Sequence, residues 1–338
     1  MLGDNRMHVI YASDDNFAEM LGVSIVSLFE NNKNSKDIQV YIINSKISTK
    51  NIKRLEDVCI KYQRNTPIWL ETKNIEKVLG IQVLTDRGSH SQYARLFISS
   101  LLPENIERVL YLDCDTIINK PLEGLWNLDL NGKTIAVLKD AFSRQYRKNI
   151  GLQPDDIMFN SGVMLIDLNR WKEKHTEERL MNFIENHHGK IQQGDQGALN
   201  AVLYDDVECF EPCYNSVTIF YDFTYEDMLI YRKPPLFYSK KEIKKAVEEP
   251  VIIHYTTSFL SRRPWIQGSR HRYKNKWLYY KSLSPWKEES LRTPHEKRIE
   301  KWYVAFYRLM PQGFSIRFAG ILQAYGRPFF NRLRNGKL

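Results

Sequence analysis

Two apolar periodicities alternate along the first 62 residues, and that alternation restricts the fold more than any other feature of the chain. His8 to Ala12 is a short continuous apolar run, followed by the polar turn Ser13-Asp14-Asp15-Asn16. From Phe17 to Glu30 the apolar residues fall at helical spacing: Phe17, Met20, Leu21, Ile25, Leu28. A second run, Ile38 to Ile43, precedes another helical stretch, Ser48 to Tyr62, with Ser48 as N-cap and Ile52, Leu55, Val58 and Cys59 on one face. Strand, helix, strand, helix at this spacing demands crossover connections, so the strands run parallel within an α/β layer fold. Arg108 to Leu112, Thr134 to Leu138, Gly162 to Ile166 and Val251 to Tyr255 read as further strands, and Tyr93 to Leu101 as a helix.

With 338 residues, 43% of them hydrophobic and 26% charged, the chain can bury a large core and is excluded from the disordered classes. No apolar run reaches the length of a spanning helix. Met1 to Ala12 lacks the apolar stretch and small-residue cleavage site of a secretory signal. Cys59, Cys114, Cys209 and Cys213 are too scattered for a disulfide framework, so a cytoplasmic location is expected.

Charge is unevenly spread. The net charge is +9, yet residues 261–338 carry 18 basic and 4 acidic side chains, leaving the preceding body mildly acidic. Within the basic end, Ile299, Trp302, Tyr303, Phe306 and Met310 repeat at helical spacing among Lys297, Arg298, Lys301 and Arg308. After Pro311 and Gly313 a second set follows, Phe314, Phe318, Ile321, Leu322 and Tyr325, flanked by Arg317 and Arg327; Phe329, Phe330, Arg332 and Arg334 close the pattern. Bulky apolar faces beside Lys and Arg suit an anionic membrane interface. Packing against the body or a second subunit is the ordinary alternative. Nucleic acid is not expected, since no nucleic-acid-binding signature accompanies the charge. Composition places a boundary near residues 261–285, where the chain turns basic and aromatic.

Glycine-rich phosphate loops are absent, so any nucleotide must be held in another way. The chemistry has to come from carboxylates. In Val109-Leu110-Tyr111-Leu112-Asp113-Cys114-Asp115 an apolar strand runs into two aspartates spaced so that both face one side of an extended backbone. Ligands of open α/β sheets sit beyond the carboxyl ends of strands, and paired carboxylates there suit Mg²⁺ or Mn²⁺. His254 ends the apolar run from Pro250 in the same way and is a candidate third ligand, with a packed core histidine as the alternative. Asp14, Asp15 and Asn16 follow the first strand, where a turn and helix N-cap are the default. Asp195-Gln196 opens the helical stretch to Tyr204, again with an N-cap as the default. Four polar groups at the ends of strands or the starts of helices carry more together than singly.

These residues resemble glycosyltransferase family eight, a GT-A fold group that includes bacterial lipopolysaccharide α-galactosyltransferases. The matching segments, in the family's order, are His8 to Phe17, Tyr93 to Arg95, Val109 to Thr116, Phe159 to Leu168, Asp195 to Asn200 and Ile253 to Tyr255. The resemblance covers residues 7–265, which implies a GT-A catalytic domain over 1–265 and leaves 266–338 as a basic, aromatic membrane-association region. It implies a Rossmann-like mixed sheet flanked by helices and a retaining transfer of a hexose from a UDP-sugar, dependent on Mn²⁺ with Mg²⁺ as a substitute. Carried over by motif, Asp113, Asp115 and His254 hold the metal. Ala12, Ser13, Asp14, Asp15 and Asn16 contact uracil and ribose. Arg95 reaches the diphosphate or donor sugar. Asp140, Asn160, Asp195 and Gln196 hold the donor hexose, with Gln196 at the anomeric face.

Two departures stand out. Where the galactosyltransferases have a glycine-containing turn and a lysine before Pro-Trp, this chain has a longer segment ending Arg262-Arg263-Pro264-Trp265. An arginine can still hold diphosphate oxygens, in bidentate fashion. The family's carboxylate two residues after the helix-opening aspartate is Gly197 here. The expected enzyme moves a hexose, galactose in the first instance, to a lipid-linked acceptor of a bacterial surface glycan, at the inner face of the cell membrane. The alternatives are a UDP-glucose-dependent transferase acting on protein or soluble glycan, and a catalytically inactive nucleotide-sugar or membrane-binding scaffold.

Overall fold

A computed structural model describes residues 6–35, 37–84, 90–295 and 298–335. The first elements follow the alternation of the sequence: β1 (Met7–Asp14), α1 (Ala18–Asn31), β2 (Ile38–Ser45) and α2 (Thr49–Lys61). Ser48 caps α2, its hydroxyl accepting from the Asn51 amide. The remaining strands are β3 (Ile68–Glu71), β4 (Arg108–Leu112), β5 (Thr116–Ile118), β6 (Ile135–Lys139), β7 (Phe159–Asp167), β8 (Val207–Cys209), β9 (Ser216–Val217) and β10 (Ile252–His254). Seven form one sheet in the order β3-β2-β1-β4-β7-β6-β8; β5, β10 and β9 form a small second sheet.

The parallel expectation holds from β3 through β4 and again between β6 and β8. It fails at β7, which is antiparallel to both β4 and β6. Between β6 and β7 residues 140–158 carry the short helix Arg144–Lys148, and the chain returns beside β6 in the opposite direction. The sheet is therefore mixed. Both of its faces are covered: Leu110 and Leu112 of β4 point into one apolar core, Val109 and Tyr111 into the other. That double burial is why its central strands read as continuous apolar runs. The helix expected at Tyr93 to Leu101 is a 3₁₀ run, His90–Phe97, passing into a short α-helix, Ile98–Leu101. Three residues per turn bring Gln92 and Arg95 into line, and Arg95 Nε donates to the Gln92 carbonyl.

The packing of the basic end changes well after residue 266. Trp277 and Trp286 are fully buried in the core beside α1, and a Cβ on Gly22 would lie 2.2 Å from the Trp286 ring. Lys281 pairs with Glu19 of α1 in the interior. Arg292 continues the tie through backbone bonds to Trp265 and Gln267. A separate layer then follows: helices Arg298–Leu309 and Gln312–Ile321, a π turn Leu322–Gly326, and helix Arg327–Asn335. Lys297 and the side chains of Ile299 and Arg334 lie outside the described residues.

This layer meets the body through small or inward residues. Ser315, Ile316, Ala319 and Gly320 are buried, and a Cβ on Gly320 would come within 2.4 Å of the Ile230 carbonyl. Tyr303 and Tyr307 pack edge-on to Phe259, each 5.1 Å away. The face marked by bulky periodicity, Phe314, Phe318, Ile321, Leu322 and Tyr325, is exposed along most of its length, with Lys233 of the body over the Tyr325 ring; Trp302 is 77% and Leu309 84% exposed. Among the described residues, no helix is long and apolar enough to cross a membrane.

Candidate active site

β4 delivers Asp113 and Asp115 where the large sheet hands over to the small one. Thr116 already belongs to β5, and β10 pairs antiparallel to it with His254 opposite Thr116. The Tyr255 amide then donates to the Asp115 carbonyl at 2.9 Å. Thus His254 reaches the aspartates from a different sheet, whereas a common row of strand ends had been the expectation. His254 Nε2 lies 3.2 Å from Asp115 Oδ1 and 3.7 Å from Asp113 Oδ2, and one ligand atom from each of the three residues falls within 4.8 Å of the others.

The proton position on His254 follows from its neighbours. The Gly162 amide donates to Asn160 Oδ1 at 3.1 Å, which makes that oxygen an acceptor. Asn215 Nδ2 donates to the same oxygen at 2.9 Å, so Asn215 presents its Oδ1 to His254 Nδ1, also at 2.9 Å. Nδ1 therefore carries the proton in the neutral ring, and Nε2 turns a lone pair toward the two carboxylates. Three electron-rich atoms converging in this way fit a divalent cation, with Asn215 as the outer partner that orients the imidazole. Gly162 makes the room: a Cβ there would lie 2.2 Å from the His254 ring and 2.8 Å from Asp113 Oδ2. Tyr111 donates its hydroxyl to Asp113 Oδ1. Asn215, Tyr111 and the role of Gly162 were not read from the sequence; Asn215 sits in a stretch without periodicity, and the other two show their roles only through contacts across the fold.

Two arginines close the site. Arg95 is buried over the Tyr111 ring and bridges Asp113 Oδ1 (3.0 Å) and Asp195 Oδ2 (2.8 Å), with a further bond to the Ser161 carbonyl. Burial pushes the Asp195 carboxyl up to about 6, against the pull of Arg95. Asp195 is not the N-cap of its helix, Gly194–Leu203; Gln193 holds that position, and Asp195 turns inward to Arg95. Arg263 pairs with Asp115 Oδ2 at 3.0 Å and donates to the Tyr255 carbonyl. Arg262 instead bonds the Gln267 carbonyl and lines a neighbouring cavity.

The other marked residues surround this centre. Gln196 Oε1 accepts from the Ser161 amide at 3.3 Å. Asp140 is half-buried beside Asn160 and Arg232, and desolvation holds its carboxyl above the usual range. At the end of β1 the Ala12 carbonyl accepts from the Cys114 thiol, tying that end to the paired-aspartate turn. Ser13 donates to the Asp14 carbonyl, and Asp14 caps the following turn at the Phe17 amide. Asp15 accepts from the Ser48 amide and Asn51 Nδ2, which hold its carboxyl below the usual range. The Asn16 carbonyl accepts from Arg292. Capping is thus what Asp14 visibly does.

Fold and site together define a glycosyltransferase of the GT-A fold. The solved structure of galactosyltransferase LgtC in complex with donor and acceptor sugar analogues superimposes with a TM-score of 0.69 at 22% identity, over 87% of this chain and 100% of that one. The chain belongs to glycosyl transferase family 8, whose description matches residues 8–267. It is similar to general stress protein A of Bacillus subtilis (30% identity over 292 residues, 85% of this chain and 96% of that protein). It is also similar to the lipopolysaccharide 1,2-glucosyltransferase of Escherichia coli, at 26% identity over 85% of this chain and 80% of that enzyme.

Proposed function

We propose that this transferase moves a hexose with retention of configuration from a UDP-sugar to a lipid-linked saccharide acceptor of a bacterial surface glycan, at the inner face of the cell membrane. Galactose is the first donor to test and glucose the second; relatives named for each exist. The observation that carries the reading is the convergence of Asp113, Asp115 and the unprotonated His254 Nε2, with Nδ1 fixed by Asn215. Mn²⁺ suits this mixed oxygen and nitrogen donor set, with Mg²⁺ as a substitute. When bound, the ion supplies positive charge to the departing diphosphate.

The chain's own residues do the rest. Arg263 is the side-chain cation on the Asp115 side of the site, suited to diphosphate oxygens as the anomeric C–O bond breaks. Arg95 keeps Asp113 and Asp195 in register. Asp140 and Asn160 lie together to take hexose hydroxyls. A double displacement needs a strong nucleophile close beneath the sugar. Gln196 is an amide, and Gly197 cannot bear a carboxylate, because a Cβ there would sit 2.0 Å from the Gln192 carbonyl. We therefore assign a front-face route: the acceptor hydroxyl attacks the side that UDP leaves and gives its proton to the departing phosphate oxygen. Trapping of a glycosyl adduct on the protein refutes this route.

Residues 298–335 are assigned to membrane attachment, supported by the outward apolar face and its flanking Arg and Lys. The decisive assay is UDP release from a panel of UDP-hexoses with and without Mn²⁺, by the full chain without acceptor. Mn²⁺-dependent hydrolysis of one donor is expected. Failure to bind UDP at all overturns the reading.

A further inference from the structure

Between the body and the C-terminal layer lies a cavity of about 1070 Å³, large enough for a substantial ligand. Its wall carries Arg232, Arg262, Arg270, Lys301, Arg308 and Arg327, and among the described residues no carboxylate lines it. Among the described residues, Arg232, Arg270, Lys301, Arg308 and Arg327 make no ion pair with an acidic side chain. Asp222 stands behind the wall, but the hydroxyls of Ser258 and Ser261 are bonded to it. Like charges gathered around one space repel, and an arriving anion relieves that repulsion. The rest of the wall mixes the apolar Ile219, Phe223, Phe259, Leu260 and Val304 with the polar Thr257, Ser258, Ser261 and Gln323.

Position narrows the ligand further. The lining segment Thr257 to Arg262 begins three residues after His254, so the cavity starts where the strand-end site stops. Arg232 joins the two, since it lines the cavity and its charge acts on half-buried Asp140. On the far side, helix Arg298–Leu309 turns Lys301, Tyr303, Val304 and Arg308 to the cavity while exposing Trp302 and Leu309.

We propose that this cavity binds the phosphate and the adjoining lipid of the acceptor, so that the acceptor is a phosphate-linked glycolipid. The inference rests on the transferase reading above and specifies its substrate class. Several guanidinium groups match phosphate oxygens in bidentate fashion, and the apolar part of the wall accepts the first part of a hydrocarbon chain. The sugar then extends from the phosphate toward Asp140 and the strand ends.

The test uses the full chain saturated with UDP and Mn²⁺, titrated with farnesyl phosphate, farnesol and inorganic phosphate. Farnesyl phosphate is expected to bind without displacing UDP, and at least about tenfold tighter than either half alone. The double variant Arg270→Gln/Arg308→Gln, with its thermal midpoint retained, should lose that preference while phosphatidylglycerol-vesicle flotation persists. Equal binding of farnesol, equal binding of inorganic phosphate, or displacement by UDP each overturns the proposal. So does a variant that leaves vesicles yet keeps farnesyl phosphate, since the cations then serve bulk lipid headgroups. UDP-hexose hydrolysis without acceptor, measured separately, tells failure of this inference from failure of the transferase reading.

Discussion

The strand-end site and the C-terminal layer are built in opposite senses. In the site, charges turn inward: Arg95, Asp195, Asp115 and His254 are all buried, and each is held by partners from distant parts of the chain. In the layer, apolar groups turn outward, and small residues such as Ala319 and Gly320 make the contact with the body. Buried charge costs free energy unless it is paired or awaits a ligand. Exposed bulky apolar surface is likewise unfavourable in water unless something covers it. Both regions depart from the usual inside-outside rule, and the proposed function gives each a reason, a small charged ligand for the one and an apolar phase for the other.

The largest effect expected is from Gly162→Ala. Its Cβ intrudes on His254 and Asp113, and transfer should fall by about 100-fold, as when the outer support of a metal ligand is lost. Vesicle flotation should be unaffected; a matching loss there breaks the separation between the regions. The converse variant, Trp302→Ser/Leu309→Ser/Phe330→Ser, alters exposed side chains. Vesicle partition should weaken by about 100-fold if each contributes even part of its burial free energy, with UDP-hexose hydrolysis unchanged. Substitution is the cleaner experiment than truncation, because removing the layer would uncover the Phe259 and Tyr231 surface beneath it.

A smaller effect concerns pH and the body alone. His271 is buried between the Tyr221 and Tyr255 rings, and burial lowers its pKa from 6.5 to about 4. On acidification the unfolded chain takes up this proton first, so the unfolded state gains and stability falls across that window, by about 1.4 kcal/mol per pH unit at most. His271→Gln should flatten the denaturant midpoint against pH there; an unchanged slope refutes the assignment. The smallest and most discriminating pair is Gly22→Ala and Gly320→Ala, which place the same methyl against Trp286 and against the Ile230 carbonyl. Overpacking of this kind costs about 1–3 kcal/mol. The first should lower global stability. The second should loosen only the C-terminal layer, seen as faster hydrogen exchange in residues 312–335.

Local order determined what could be read early. The strand-helix alternation through Tyr62, the run into Asp113 and Asp115, the Ser48 cap and the basic bias after residue 260 depend on neighbours in sequence, where periodicity and charge act directly. His254 too was legible as a candidate, because it ends an apolar run. Tertiary structure decided the rest. β7 runs antiparallel to both neighbours although its apolar run looks like that of the parallel strands, and β3, β5, β8 and β9 are too short to leave a period of their own. Asn215 on His254, Arg95 between Asp113 and Asp195, and Arg263 on Asp115 join residues far apart in the chain. The bulky stripe from Phe314 to Tyr325 could be drawn from spacing, but spacing alone does not say whether a stripe faces inward or outward. That was settled by Gly320, whose missing side chain lets the opposite face approach the Ile230 backbone and leaves the large residues outside.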